Sequence, residues 1–182
     1  MKQIIRKLYA NFEKEEEWLN EMADKGLNLT DYSFLKYSFE EGTPGEYIYR
    51  IELLNDLPTH PKSKEYIKFM EETGVECVAT YVRWVFFRKK KSEGEFDLYS
   101  DYDSRIKHYK AIVKFTGFVY LFNIIVALYN LILGLSSIGM HTFRFNAYIS
   151  IINWLFVIFF TPVLVSYIRK IKKMEKEKQL YE

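Results

Sequence analysis

Hydrophobic and polar positions follow three different rhythms along this chain. From Ile4 to Phe87 short apolar runs alternate with helical stripes, from Ser100 the spacing becomes helical throughout, and two stretches, 115–138 and 147–168, are apolar almost without interruption. Each of these last two exceeds the roughly 18 residues needed to cross hydrocarbon. They predict a two-helix transmembrane hairpin behind a cytosolic domain at 1–99. A connecting helix at 100–114, an external loop at 139–146 and a basic, frayed helical tail at 169–182 complete the plan.

Within the head the pattern predicts two similar β-α-β passes. Ile4–Tyr9 reads as a strand. Asn11 then caps a helix carrying Phe12, Leu19 and Met22 on one stripe with Trp18 beside it, and Gly26 ends that helix in a left-handed C-cap that sets Leu27 against Met22. Leu27–Phe39 is a strand or hairpin arm, and Gly42-Thr43-Pro44-Gly45 reverses the chain. In the second pass Tyr47, Tyr49, Ile51 and Leu53 alternate with Ile48, Arg50 and Glu52, the mark of a half-buried strand. Pro58 and Pro61 interrupt it, and Ser63 caps a helix with Tyr66, Ile67 and Met70 that Gly74 closes. Val75–Tyr81 and Arg83–Phe87 are β-branched and aromatic, hence strands. The expected fold class is α+β, a ferredoxin-like antiparallel sheet with two helices on one face. The helix from Ser100 meets no Pro or Gly before Gly117 and is expected to enter the first span unbroken, whereas Pro162 predicts a kink in the second.

Charge fixes the expected orientation. Up to Lys110 there are 18 Lys and Arg against 21 Asp and Glu, the tail from Arg169 carries 6 against 3, and only Lys114 and Arg144 lie between. Arg105, Lys107, Lys110 and Lys114 precede the first span and six basic residues follow the second, so both termini are expected in the cytoplasm of a multi-pass cell-membrane protein. The first residues lack the apolar core of a cleaved signal peptide. A net charge of +2 gives no field for direct nucleic acid binding. Cys77 is the one cysteine in the chain, which suits a reducing compartment, and it reads as a small buried hydrophobe.

Candidate chemistry is sparse. His60, His108 and His141 are not spaced with Cys, Asp or Glu as a metal set, and no Gly-rich loop, nucleophile elbow or Walker lysine is present, so neither cofactor nor enzymatic activity is expected. Glu13, Glu15, Glu16 and Glu17 read as a water-facing first turn of a helix. The basic run Arg88, Lys89, Lys90 and Lys91 fits contact with anionic lipid headgroups, or a solvated turn that discourages strand pairing. Trp84 and Phe86, with Phe87, fit sheet core or an aromatic docking surface. Asn123 and Asn130, seven residues apart, form one polar face with Ser137, and Asn153 falls at similar depth to Asn130; they fit packing between the spans or a polar seam for oligomers or a small permeant.

The run from Tyr9 to Gly26, YANFEKEEEWLNEMADKG, followed by Tyr37-Ser38-Phe39-Glu40-Glu41-Gly42 and Tyr47-Ile48-Tyr49-Arg50-Ile51, resembles the family catalogued as domain of unknown function 2812, small membrane proteins of Firmicutes. The likeness takes in the Trp84 strand and Phe96–Lys110. Members are often encoded beside PadR-type transcriptional regulators, so the resemblance implies a regulatory partnership, and it carries over no catalytic residue. The expected function is that of a non-enzymatic, membrane-anchored regulatory or sensory protein whose head binds a PadR-like regulator or its own copies, with membrane lipid around the hairpin. The alternative is an accessory or defence protein that binds lipophilic compounds or joins a transport complex.

Overall fold

The structure, a computed structural model, describes residues 2–136 and 141–181. It divides into two units, Met1–Ser100 and Asp101–Glu182.

The first unit is α+β, and its strands divide between two antiparallel sheets where a single ferredoxin-like sheet was expected. Strands β1 (Lys2–Arg6), β2 (Leu27–Ser33) and β3 (Lys36–Glu41) form one sheet in the order β1-β3-β2, with helix α1 (Phe12–Asp24) inserted between β1 and β2. Strands β4 (Tyr47–Leu53), β5 (Glu76–Tyr81) and β6 (Trp84–Lys90) repeat the arrangement as β4-β6-β5, with helix α2 (Pro61–Glu72) in the same place. The two βαββ halves correspond at a constant offset of 48 residues, for instance Met22 with Met70, Gly26 with Gly74 and Phe39 with Phe87. Each half has a bulge in its second strand, between Leu29 and Asp31 in one and between Cys77 and Ala79 in the other. Each lays an aromatic of its helix edge-on against the same position of its central strand, Trp18 on Phe39 at 5.6 Å and Tyr66 on Phe87 at 6.3 Å.

Local chemistry explains most boundaries. The Asn11 side chain accepts from the amides of Glu13 and Lys14, which starts α1. Gly26 (φ 79°) and Gly74 (φ 87°) end the two helices in the left-handed region; at α2 the amide of Gly74 donates to Glu71 O and that of Val75 to Met70 O, the bond pair of a Schellman motif. Helix α2 starts two residues before the expected cap. His60 is its N-cap and Pro61 opens it, because a proline in the first turn loses no helical bond, and Ser63 instead turns inward to Asp56 O.

The second unit is a pair of long helices packed along each other, α3 (Tyr102–Ser136) and α4 (His141–Tyr181). Residues 139 and 140 of the expected loop, and Ser137, lie outside the described residues; 141–146 are already helical. Helix α4 runs through Pro162. The tail at 169–181 is ordered helix with Ile171 and Met174 buried, not frayed, and Lys178 bonds Asp103 (2.7 Å) while Lys110 bonds Glu175 (2.6 Å). At 1.5 Å per residue the helices are about 52 and 62 Å long, well beyond a hydrocarbon core of about 30 Å.

Candidate functional site

Two edges of the split sheet are closed by side chains. Along β4 the Asn20 amide accepts from the Tyr49 N–H (2.8 Å) and donates to Tyr49 O (3.2 Å), imitating a neighbouring strand, and Glu16 accepts from the Ile51 N–H (2.8 Å). At the β2 bulge the Leu29 N–H donates to the Tyr49 hydroxyl (2.9 Å) and Leu29 O accepts from Arg88 (3.2 Å). These bonds tie the two sheets into one unit.

The buried acidic groups are tied to tyrosines. Tyr37 donates to Glu15 at 2.6 Å, and burial pushes the Glu15 carboxyl up to about 7. Glu52, buried under α2, accepts from Tyr66 on one oxygen (2.7 Å) and from Tyr99 on the other (2.6 Å), and its carboxyl is also raised by burial. A cleft of about 150 Å³ opens beside it, lined by Asp56, Lys62, Ser63 and Tyr66 among others. The acidic first turn of α1 is therefore not wholly water-facing. Glu15 and Glu16 turn inward, Glu16 also meeting Arg50 at 3.4 Å, while Glu17 is exposed. Because the partners of these carboxyls lie 14 or more residues away in sequence, no local pattern announces them.

The basic run is pinned to the fold at three of its four positions. Arg88 makes a two-pronged bond to Glu76 (2.8 Å each) and stacks 4.3 Å over the Tyr47 ring, so it is not free for a headgroup. Lys90 lies 3.9 Å from Glu46 and Lys91 2.7 Å from Asp24; Lys89 is half-buried beside them. Phe86 is 2% exposed and packs on Tyr32, so it belongs to the core and offers no docking surface, while Trp84 stacks on Phe12 at 5.7 Å and stays partly exposed. Cys77 is half-buried in β5 with its thiol pushed up to about 11 by burial. Among the described residues no three His, Cys, Asp or Glu are grouped to hold a metal.

On the long helices, Asn123, Asn130 and Asn153 each donate to the carbonyl four residues back, Val119, Val126 and Ile149, at 2.8 to 2.9 Å. The bonds between helices come from residues that the polar pattern did not single out: Ser150 donates to Ala127 O (3.0 Å), and Tyr120 meets Thr161 (2.9 Å). Their spacing was the available signal, since Tyr120, Asn123, Ala127, Asn130 and Gly134 follow the 3–4 rhythm of a helix-pairing seam. Gly134 lets the backbones approach, its Cβ position lying 3.9 Å from Ala147 N. Outside this seam the surface is apolar, with Phe118 73%, Ile132 65%, Ile152 64% and Ile158 66% exposed. Both helices are long and apolar enough to cross a membrane.

The family described as Protein of unknown function (DUF2812) matches residues 11–121, from the cap of α1 into α3. The chain belongs to that family. No curated protein and no solved structure matches it.

Proposed function

We propose that this chain is a non-enzymatic, membrane-anchored regulatory or sensory protein whose N-terminal unit binds a protein partner. The observation that carries the anchoring is the wide apolar surface left on α3 and α4. A core helix of a water-soluble protein buries most of its apolar residues, whereas only 17% and 11% of the most apolar windows of these two are buried. Lys and Arg flank the outer ends of the spans, favouring cytoplasmic termini in a cell membrane.

The regulatory part rests on two supports. Buried acids of the first unit are each bonded to a tyrosine or a backbone amide, which favours a rigid binding module over a reactive centre. The neighbourhood of PadR-type regulators that the family resemblance implies makes such a regulator, or a second copy of the chain, the first partner to test. Chemical crosslinking in intact native cells, followed by solubilisation and identification of what is attached to residues 2–100, tests it. A reproducible protein adduct is expected, and a chain recovered alone and monomeric argues against the reading. Labelling of an introduced cysteine near residue 180 by an impermeant reagent added outside intact cells sinks the topology.

A further inference from the structure

We propose that the β2–β3 and β5–β6 hairpin tips, together with Leu8, form an apolar apex that enters the headgroup region of an anionic lipid leaflet. The apex is put together from parts distant in sequence. Phe34 is 67% exposed, Leu8 60% and Val82 50%, and the tips touch where the Phe34 ring stacks on Tyr81 at 6.2 Å. The segment before Leu8 is fastened to the same place by the Lys7 N–H, which donates to Leu35 O at 3.1 Å.

Both tips are two-residue loops, Phe34-Leu35 and Val82-Arg83, and both break the turn rules. Such loops favour Gly, Asn or Asp where φ is positive, yet Leu35 stands at φ 60° and the β-branched Val82 at φ 56°. Val82 is thus held both strained and exposed at one tip, and at the other the strained, half-buried Leu35 presents the exposed Phe34, where a solvated loop gains nothing from these side chains.

Charge selects lipid as the occupant. The three segments that form the apex, 6–10, 31–37 and 79–85, contain Arg6, Lys7, Lys36 and Arg83, the last bonded to Leu54 O, against the single acid Asp31. Apolar tips in a basic collar are the composition that binds the interface of an anionic membrane. The inference rests on the membrane reading above.

The test uses the full chain with Cys77→Ser, reconstituted in nanodiscs of phosphatidylcholine alone or mixed with phosphatidylglycerol. A polarity-sensitive fluorophore is placed on Val82→Cys, and in a second sample on Ile132→Cys in α3. Brominated lipid is expected to quench the Ile132 label in both membranes. It is expected to quench the Val82 label only in the anionic one, with a blue shift that Arg6→Glu with Lys36→Glu abolishes. A Val82 label quenched by aqueous iodide in both membranes, or shielded from iodide yet untouched by brominated lipid as under a protein partner, overturns the apex while leaving the spans intact. An Ile132 label quenched by iodide overturns the membrane reading and the apex with it.

Discussion

At the scale of single residues, Asn20 performs a backbone's task with a side chain, pairing with both polar groups of Tyr49 on the open edge of β4. Asn20→Leu keeps the size and leaves those groups without their partner, so chemical denaturation of the chain in detergent should show the first unit less stable by about 1–3 kcal/mol. Glu15 makes a different prediction. Its carboxyl titrates near 7 in the fold against an ordinary value of 4.5, so between these limits the folded state holds a proton that the unfolded state has lost. Stability should therefore fall as pH rises from about 4.5 to about 7 and level off above, with Glu16 and Glu52, also raised by burial, sloping the same way. Glu15→Gln still accepts from Tyr37 and should flatten part of that slope in melts taken across the range. Neither role was legible in the sequence. Asn20 and Glu15 sit in a run that looks like an exposed acidic helix face, and only the fold brings Tyr49 and Tyr37 to them.

Elements were legible where their causes are local. The Asn11 cap, the Gly42-Thr43-Pro44-Gly45 reversal, strand β4 and the repeated helix stop all depend on neighbours within a few residues, and each is found in the structure, although Glu52, on the face of β4 expected to meet water, is buried. The glycines of the repeated stop differ in what surrounds them, and this yields an ordering. A Cβ at Gly26 would meet Gly42 O at 2.8 Å, a backbone atom that cannot step aside, while at Gly74 it would meet only the far end of Glu93 at 3.2 Å. Both substitutions carry the left-handed penalty of about 1–2 kcal/mol, so Gly26→Ala should lower the melting temperature clearly more than Gly74→Ala. Strand partnership was less legible. Alternation cannot say which strands share a sheet, and the β2–β3 tip hides its turn because Phe34-Leu35 contains none of the residues that announce one, whereas the break at Val82 was legible between two strand runs. Val82→Asn, which tolerates positive φ, should leave the unit as stable or raise its melting temperature; a marked loss would mean that the Val82 side chain packs inward.

For the whole molecule, the helix pair asks what fastens its polar end once the apolar segments stop. Ion pairs are the visible answer, Lys110 with Glu175 and Lys178 with Asp103, but their side chains are 28 to 72% exposed and pairs of this kind contribute at most about 1 kcal/mol each. Burial is the stronger cause. Tyr167 is 2% exposed with its ring 6.0 Å from Tyr109, which also carries the Lys170 ammonium 4.9 Å from its ring centroid, and Ile171 and Met174 continue the buried stripe. This stripe is why a segment rich in Lys and Glu, which by composition alone looks like a solvated tail, is held as helix to Tyr181. Truncating an aromatic this buried to alanine costs about 3–5 kcal/mol. Tyr167→Ala should therefore destabilise the detergent-solubilised chain more than Lys110→Ala and Lys178→Ala combined, and its effect should persist in high salt, which screens the ion pairs but leaves apolar burial in place. The reverse ordering, with a strong salt dependence, would mean that the polar ends of α3 and α4 are joined by charge and part when it is screened.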